Sequence, residues 1–99
     1  MKKQSYRIEY SPQALDHLRD LSARDRARVV ANVLAKLSHQ PTVETRNRKL
    51  LRFNDVAPYE LRVGELRVYY DVEGAQVNIE AIGVKDRDVV RIGGREWKL

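Results

Sequence analysis

Two short turns inside a regular alternation of apolar and polar residues constrain the fold of this chain more than any other feature. Residues 59–84 read YELRVGELRVYYDVEGAQVNIEAIGV. Period-two alternation is typical of β-strands that bury one face. Gly64-Glu65 suits a two-residue type II′ turn, and Glu73-Gly74 offers a second tight turn. The segment therefore predicts an antiparallel meander with strands over residues 59–63, 66–72 and 75–84.

The alternation divides this meander into a core face and a polar face. We predict apolar side chains on the core face from Tyr59, Leu61, Val63, Leu66, Val68, Tyr70, Val72, Val77 and Ile79. The polar face would carry Glu60, Arg62, Arg67, Tyr69, Asp71, Asn78 and Glu80. Since antiparallel sheets commonly bury one face and expose the other, a second layer must cover the apolar side.

The two turns also predict a strand register on the polar face. The first turn places Arg62 opposite Arg67, and the second places Glu80 on the other side of Arg67. Like charges directly opposed on neighbouring strands are destabilising. Two interpretations are open: a charge ladder in which Glu80 neutralises Arg67, or an anion site in which two guanidinium groups converge on a phosphate.

The chain before the meander predicts one strand and two helices. Residues 5–10 are short, aromatic and β-branched, as in a strand that joins the sheet. Ser11 is a predicted N-cap with Pro12 at the first helical position, and Ser22 caps a second helix that ends near Ser38. Residues 41–58 read as a loop, with a short strand around residues 49–53.

The second helix is predicted to pack on the sheet through one apolar stripe. This stripe comprises Ala27, Val30, Ala31, Leu34 and Leu37, broadened by Val29 and Val33. Arg24, Asp25, Arg28, Asn32 and Lys36 would face solvent. The two helices then form a hairpin over the apolar face of the sheet. We expect a single α+β domain over residues 1–99, with the order β-α-α-β-β-β.

The composition indicates a basic protein without thiol chemistry. Lysine and arginine number 19 against 14 aspartate and glutamate residues, which gives a formal net charge of +5. This charge favours polyanionic partners, although a merely soluble basic domain has it too. The absence of cysteine excludes disulfides, thiolate metal sites and a cysteine nucleophile. With no signal-peptide pattern and no long apolar run, we expect a cytoplasmic protein without a membrane partner.

A second basic group follows the meander, and the remaining candidate residues point to structural roles. The group comprises Lys85, Arg87, Arg91 and Arg95, interleaved with Asp86 and Asp88; a solvated tail is the alternative interpretation. His17, on the polar face of the first helix, and His39 have no motif partner, so we expect both to be structural. Trp97 is expected to pack the C-terminus onto the domain. No metal-ligand spacing or phosphate loop is present.

Taken together, residues 59–90 resemble the C-terminal half of the RelE/ParE superfamily of bacterial toxins. The hallmark is a strand pair reading roughly L-R-x-G-x-x-R-x-x-Y, followed by a strand that ends in [AV]-[IV]-G and basic residues. The matching positions are Leu61, Arg62, Gly64, Arg67, Tyr70, Ala81, Ile82, Gly83, Lys85 and Arg87. The upstream strand, the helix pair and the basic linker RNRKLL also match the family layout.

The resemblance implies a toxin of a type II toxin–antitoxin pair that acts as a ribosome-dependent mRNA endoribonuclease and inhibits translation. Cleavage would proceed through the RNA 2′-hydroxyl without a metal or other cofactor. Arg67, with Lys85 or Arg87, matches the catalytic basic residues, and Arg62 matches a supporting arginine. The nearby basic side chains would contact RNA phosphates: Arg46, Arg48, Lys49, Arg52 and Arg91.

The sequence also departs from the RelE pattern, which leaves an alternative function open. Pro58 and Glu60 occupy positions where RelE has lysines, and Val90 aligns near the C-terminal tyrosine or histidine of many active members. The general base is therefore open among Glu80, Glu60, Asp71 and Tyr69.

Two other functions fit the resemblance: a non-enzymatic ParE-like inhibitor of DNA gyrase and an inactive relative. For the mRNA endoribonuclease, the expected partners are a cognate acidic antitoxin in a hetero-oligomeric complex, and the ribosome with its mRNA.

Overall fold

Two helices cover one face of a seven-stranded sheet in the computed structural model of the protein, which describes residues 5–99. Residues 1–4 of the predicted domain lie outside this described part. The strands are β1 (Arg7–Tyr10), β2 (Arg48–Leu50), β3 (Tyr59–Val63), β4 (Leu66–Glu73), β5 (Gln76–Asp86), β6 (Val89–Ile92) and β7 (Arg95–Trp97). The helices are α1 (Pro12–Asp20) and α2 (Ala23–Leu37). The predicted α+β architecture is confirmed, and β2, β6 and β7 extend the sheet.

The strand order places β5 at the centre of the molecule. The path β2-β3-β4-β5-β6-β7 is antiparallel throughout. The first strand also joins the sheet as predicted, but β1 pairs with β5 in parallel orientation. One edge of β5 is therefore shared along its length, first by β1 at Gln76 to Ile79 and then by β6 at Val84 to Asp86.

Both helices begin at the predicted serine caps. Ser11 Oγ accepts a hydrogen bond from the Ala14 amide at 3.0 Å, and Ser22 Oγ accepts one from the Asp25 amide at 3.1 Å. These bonds satisfy amides that lack a partner within the helix. The Arg26 guanidinium donates to three carbonyl oxygens at the end of α1, so it ties α2 to the helix that precedes it.

The face of α2 that packs on the sheet differs from the predicted one. Its buried residues are Val29, Val33 and Leu37, at spacings of four. The predicted stripe is largely exposed: Val30 is 44% and Leu34 is 64% accessible. Because α2 has apolar residues over more than half of its circumference, the periodicity alone does not decide which of them the sheet covers.

The main core lies between the helices and the predicted core face of the meander. The two helices contribute Ala14, Leu18, Val29, Val33 and Leu37, and the strands contribute Leu61, Val63, Leu66, Val68, Tyr70, Val77, Ile79 and Ile82. Tyr70 is fully buried, stacks on Tyr59 with ring centroids 5.3 Å apart, and donates its hydroxyl proton to the Pro41 carbonyl at 2.6 Å. This bond attaches the segment after α2 to the core.

The β4–β5 register corrects the sequence prediction. The first hairpin has the predicted pairing of Arg62 with Arg67. The second turn is Gly74-Ala75 rather than Glu73-Gly74, and a bulge in β5 shifts the register again between Tyr69 and Tyr70. Arg67 therefore lies opposite Gly83, and Glu80 does not neutralise it.

The bulge has a consequence for the two faces of the sheet. Beyond Glu80 the alternation of β5 is inverted, so Ile82 enters the main core and Ala81 faces the other way. A second small core forms there from Ala57, Tyr69, Ala81, Val90 and Ile92. Tyr69, which we predicted on the polar face, is fully buried in it.

Gly83 allows the C-terminal strands to cover this second core. A Cβ atom at this position would lie 2.7 Å from the Arg91 carbonyl oxygen and from side-chain atoms of Val90 and Ile92. Contacts that short do not occur, so any larger residue would displace β6. The alternative interpretation of this segment as a solvated tail is wrong, because β6 and β7 form a folded hairpin, and Trp97 packs against the second core as expected.

The edge of β5 between β1 and β6 has no strand neighbour, and α1 satisfies its backbone instead. Ser11 donates to the carbonyls of Ile79 at 2.9 Å and Glu80 at 3.1 Å. The Ile82 amide donates to His17 Nδ1 at 3.1 Å. His17 is 8% exposed, so it faces the sheet rather than solvent, in contrast to its predicted position. Its predicted structural role is consistent with this bond.

His17 should make the stability of the fold depend on pH. Burial lowers the pKa of His17 below 6.5, against the opposing effect of Asp20 and Asp16. The unfolded chain therefore binds this proton at higher pH than the folded chain does. The free energy of unfolding should be undiminished by this group above about pH 7 and should fall as the pH drops through about 6.5.

The measurement is urea unfolding at several pH values for the wild type and for His17→Asn, whose Oδ1 replaces the Nδ1 acceptor but does not titrate. We expect a shallower decline in the variant. His39 is present in both proteins, so equal slopes would refute the role assigned to His17.

Candidate active site

Basic side chains predicted for catalysis meet at the β3–β4 hairpin, on the face of the sheet opposite the helices. Arg62 and Arg67 are directly opposed there. Lys85 comes close through its backbone, because its amide donates to the Glu65 carbonyl at 2.8 Å. By the alternation of β5, Lys85 lies on the same face as Gly83, the partner of Arg67. We call Arg62, Arg67 and Lys85 the basic row.

Arg67 is held by backbone carbonyls rather than by a carboxylate. Its Nη1 group donates to the carbonyls of Gly64 at 2.7 Å and Leu66 at 3.0 Å. Its other N–H groups make no hydrogen bond to the described part of the chain, and the side chain is partly exposed. The guanidinium is therefore positioned over the turn with free donors, which suits an oxyanion.

Arg62 is anchored differently, through a buried carboxylate. Its Nε donates to Glu60 Oε1 at 2.9 Å, while the Tyr69 hydroxyl donates to Glu60 Oε2 at 3.0 Å. Glu60 is only 5% exposed and Tyr69 is fully buried. Burial, reinforced by the Glu60 charge, raises the pKa of Tyr69 far above 10. The phenol therefore keeps its proton at neutral pH and acts as a fixed donor.

These anchors explain how the opposed arginines coexist. Each guanidinium has its own acceptors, and those acceptors lie on different sides of the pair. Glu60 supplies one negative charge beside Arg62, whereas one of the two predicted interpretations used Glu80 to neutralise Arg67. Arg62, Arg67 and Glu60 together carry a net charge of +1, which a single added anion would neutralise.

The candidates for a general base lie in unequal environments. Glu60 and Tyr69 are bonded to each other inside the second core. Asp71 lies four residues from Arg67 on β4, about 13 Å along the strand, and its Oδ1 accepts from the Val72 amide. Glu80 lies at the bulge. None of these four groups forms a hydrogen bond with the side chain of Arg67 or Lys85 in the described part of the chain.

The basic residues after β5 separate from one another. Arg87 is exposed in the β5–β6 turn, where its φ is 59°. Arg91 pairs with Val84 on β6, alternates with the buried Val90 and Ile92, and so faces away from the second core. It also forms an ion pair with Asp86 at 3.1 Å. Arg87 lies two residues beyond Lys85, whereas Arg91 is turned to the opposite face.

The predicted RNA-contacting cluster also divides between two faces. Lys49 pairs with Glu60 and therefore lies on the face of the basic row. Arg48 lies on the helix side and donates to the carbonyls of Lys36 at 2.8 Å and Gln40 at 3.1 Å, so it caps the end of α2. Arg46 and Arg52 are exposed in the flanking loops.

Two features around the basic row were not predicted from the sequence. The Glu60–Tyr69 contact was implicit in the correctly predicted first hairpin, which places these residues opposite each other. Its burial depends on residues 51–57 and on β6, whose packing no local pattern indicated. A cation–π contact of Arg95 over the Trp97 ring, 4.5 Å from the centroid, was equally hidden.

Two kinds of feature are absent from the described residues. Among residues 5–99, no three histidine or acidic side chains are grouped as a metal ion would require. No helix in that range combines the length and apolar character needed to cross a bilayer.

Comparison with known proteins yields a structural relative. No protein-family model matches the chain, and no curated protein matches its sequence. A solved structure does match: the toxin–antitoxin complex RelBE2 from Mycobacterium tuberculosis, with a TM-score of 0.72 and 26% sequence identity over 85% of this chain and 95% of the other. The resemblance to RelE-like toxins and the RelE-like fold are thereby confirmed.

The Glu60–Tyr69 bond should contribute measurably to stability. Tyr69→Phe removes the donor and leaves a buried carboxylate oxygen without it, so we expect the free energy of unfolding to fall by about 1.5–3 kcal/mol. Urea denaturation measures the change. Tyr10→Phe is the matched control, because Tyr10 is only partly buried and its hydroxyl has no hydrogen-bond partner among residues 5–99. Equal effects of the two substitutions would contradict the role of this bond.

Proposed function

We propose that this chain, whose fold is that of RelE-like toxins, is the toxin of a type II toxin–antitoxin pair and cleaves mRNA on the ribosome. The observation that carries the proposal is the basic row: two opposed arginines and a lysine at one hairpin of a RelE-like sheet. Such a protein acts on translation in the cytoplasm. Its substrate is a phosphodiester, and its cognate partner is an acidic antitoxin.

The proposed chemistry is an in-line displacement at phosphorus. The RNA 2′-hydroxyl gives its proton to solvent water as its oxygen attacks phosphorus, and the bond to the 5′-oxygen of the next nucleotide breaks. That oxygen takes up a proton from water, so the products are a 2′,3′-cyclic phosphate and a 5′-hydroxyl. Arg67 and Lys85 bind the phosphoryl oxygens, and Arg62, held by Glu60, adds positive charge beside them. Positioning and charge stabilisation supply most of the rate enhancement in such reactions. No metal or cofactor enters the proposal.

The RNA strand would approach along the exposed basic side chains on the same side of the sheet. Lys49 lies beside Glu60 in the sheet, and Arg46 and Arg52 flank it in the loops. Arg87 extends this surface at the β5–β6 turn. Arg48 and Arg91 are left out of the proposed surface because both face away from the basic row.

A ParE-like gyrase inhibitor is the second candidate. The observation that favours it is the burial of Glu60 and Tyr69, which leaves the basic row without an adjacent carboxylate or phenolate that is free to accept a proton. A binding protein needs no proton acceptor. In that case the arginines form part of a contact surface, and growth arrest would accompany DNA damage with intact mRNA.

We further propose that the antitoxin docks on the exposed apolar flank of α2, defined as Ala27, Val30, Ala31 and Leu34. The centre of this flank lies roughly 100° around the helix from the buried stripe, since successive residues are about 100° apart. Arg24 and Arg28 border it and are exposed. An acidic amphipathic helix fits this combination of apolar centre and basic rim. RelBE2, the structural relative, is itself a toxin–antitoxin complex.

Arg67→Ala tests the nuclease proposal directly. Removing one preorganised donor to a developing oxyanion typically lowers the rate by about 10²–10³-fold. We expect inducible expression of the wild type to arrest growth and to produce codon-dependent mRNA cuts by primer extension, and the variant to produce neither. Arg19→Ala on α1 removes the same charge from a distant exposed ion pair and should remain toxic.

Two outcomes would contradict the proposal. Growth arrest by the wild type with uncut mRNA and damaged DNA would favour gyrase inhibition. Toxicity that survives the combined Arg67→Ala, Lys85→Ala and Arg87→Ala substitutions would remove the basic residues from the active site.

Leu34→Glu tests the proposed antitoxin surface. Leu34 is 64% exposed, so the free protein should keep its stability, while an acidic side chain opposes both the apolar and the acidic features of the partner. We expect at least about a tenfold weaker affinity for the small acidic protein encoded by a neighbouring reading frame. Leu50→Glu, at a 57% exposed leucine on β2, is the matched control. If calorimetry shows equal affinities for both variants, the antitoxin docks elsewhere.

A further inference from the structure

A cleft separate from the basic row opens where β5 lacks a strand neighbour. It has a volume of about 420 Å³ and is bounded by α1, the segment before β3, the β5 bulge and the β6–β7 hairpin. This volume is within the range of small-molecule sites, about 300–1,000 Å³. Ala81, in its wall, lies four residues from Lys85, about 13 Å along the strand.

His17 places one fixed donor in this cleft. His17 is a buried residue, and its Nδ1 accepts a hydrogen bond from the Ile82 amide. The neutral ring therefore carries its proton on Nε2. Nε2 has no hydrogen-bond partner within residues 5–99, and the ring lines the cleft.

Gly93 keeps this donor accessible. A Cβ atom at Gly93 would lie 3.2 Å from His17 Nε2, and the glycine has a φ of 57°, which larger residues rarely adopt. A side chain here would crowd the one unpartnered nitrogen. The glycine thus leaves the rim of the cleft open at the point where a ligand would meet the histidine.

Acceptors and a flat apolar wall complete the cleft. Glu80 and Asp55 line it with carboxylates. Burial, with the nearby charges of Asp71 and Glu73, raises the pKa of Glu80 above its usual value. Trp97 contributes an aromatic ring, with the Arg95 guanidinium lying over it. A planar ligand with both donors and acceptors on its edge would use all of these groups.

We propose that this cleft binds one base of the RNA substrate, with a preference for guanine. Guanine presents two adjacent N–H donors on its Watson–Crick edge, which one carboxylate accepts together, and its O6 accepts a hydrogen bond. Glu80 would take the two donors, His17 Nε2 would donate to O6, and the Arg95–Trp97 pair would stack on the ring. This inference rests on the proposed nuclease function and adds a base preference to it.

Other ligand classes match the cleft less completely. The carboxylates oppose a phosphate, and the described residues form no metal-binding group. A basic side chain of a protein would pair with Glu80 and Asp55, but it offers no acceptor for His17 Nε2. That class is therefore an outcome of the test rather than the proposal.

The single tryptophan of the chain makes the proposal measurable without ribosomes. The experiment follows Trp97 fluorescence during titration with the 5′-monophosphates of guanosine, adenosine, cytidine and uridine, and with inorganic phosphate. Free tryptophan amide corrects for light absorption by the bases. We expect guanosine monophosphate to quench at the lowest concentration and phosphate to have no effect. Equal quenching by all four nucleotides, or none, would overturn the proposal.

A substitution of Glu80, the proposed acceptor, tests its role in guanine binding while the fold is checked separately. Glu80→Gln should weaken guanosine monophosphate binding by about ten- to a hundredfold, since a bond to a charged acceptor is lost. Glu9→Gln, at an exposed carboxylate on β1, should leave binding unchanged. The thermal unfolding of both variants verifies the fold. An unchanged affinity in Glu80→Gln would remove the carboxylate from the site and overturn the proposal.

Short 2′-O-methyl RNA distinguishes a base of RNA from a free nucleotide. A five-nucleotide strand with one central guanine should bind more tightly than guanosine monophosphate, and Arg67→Ala should weaken the strand alone. Binding of the free nucleotide but not of the strand, or quenching by N-acetylarginine amide in place of nucleotides, would overturn the proposal. Either result is independent of mRNA cleavage in cells, so it would leave the nuclease proposal to its own test.

Discussion

Three hydrogen bonds connect the α1 segment to the edge of β5, at the bulge that separates the main core from the second core. They involve Ser11 twice and His17 once, and they satisfy backbone groups of β5 from Ile79, where the β1 pairing ends, to Ile82, before the β6 pairing begins. Without them, buried backbone groups would lack partners at a cost comparable to a lost hydrogen bond each. These bonds lie at the bulge at Glu80, and the bulge inverts the alternation that builds the second core.

The parts of the fold that were predictable from the sequence are those that local chemistry determines. Ser11 and Ser22 cap the helices, and Gly64 fixes the first hairpin, so Arg62 and Arg67 face each other as predicted. The bulge was not predictable, because the residues around Glu80 fit either register equally well. Tertiary contacts with α1 decide between the registers. For the same reason the buried stripe of α2 was misassigned.

The candidate site divides along the same line. Strand pairing gave the correct positions of Arg62 and Arg67 and the neighbourhood of Lys85. Contacts between distant segments could not be predicted. Arg48 binds carbonyls at the end of α2, and Glu60 is covered by the segment before β3 and by β6. In the sequence, Glu60 was notable only because RelE has a lysine at that position. In the structure, its carboxylate fixes the position of the Arg62 guanidinium.

The parallel pairing of β1 with β5 has a consequence for the synthesis of the protein. Arg7 pairs with Gln76, and Tyr10 with Ile79, so β1 cannot pair until a strand 69 residues further along the chain has been made. Contacts of such large sequence separation form late, because the intervening chain must be ordered first. A nascent chain that stops before β5 can form helices and the β3–β4 hairpin, but it has no strand on which β1 can dock. The complete fold, and any activity that requires it, can therefore form only after β5 has been synthesised.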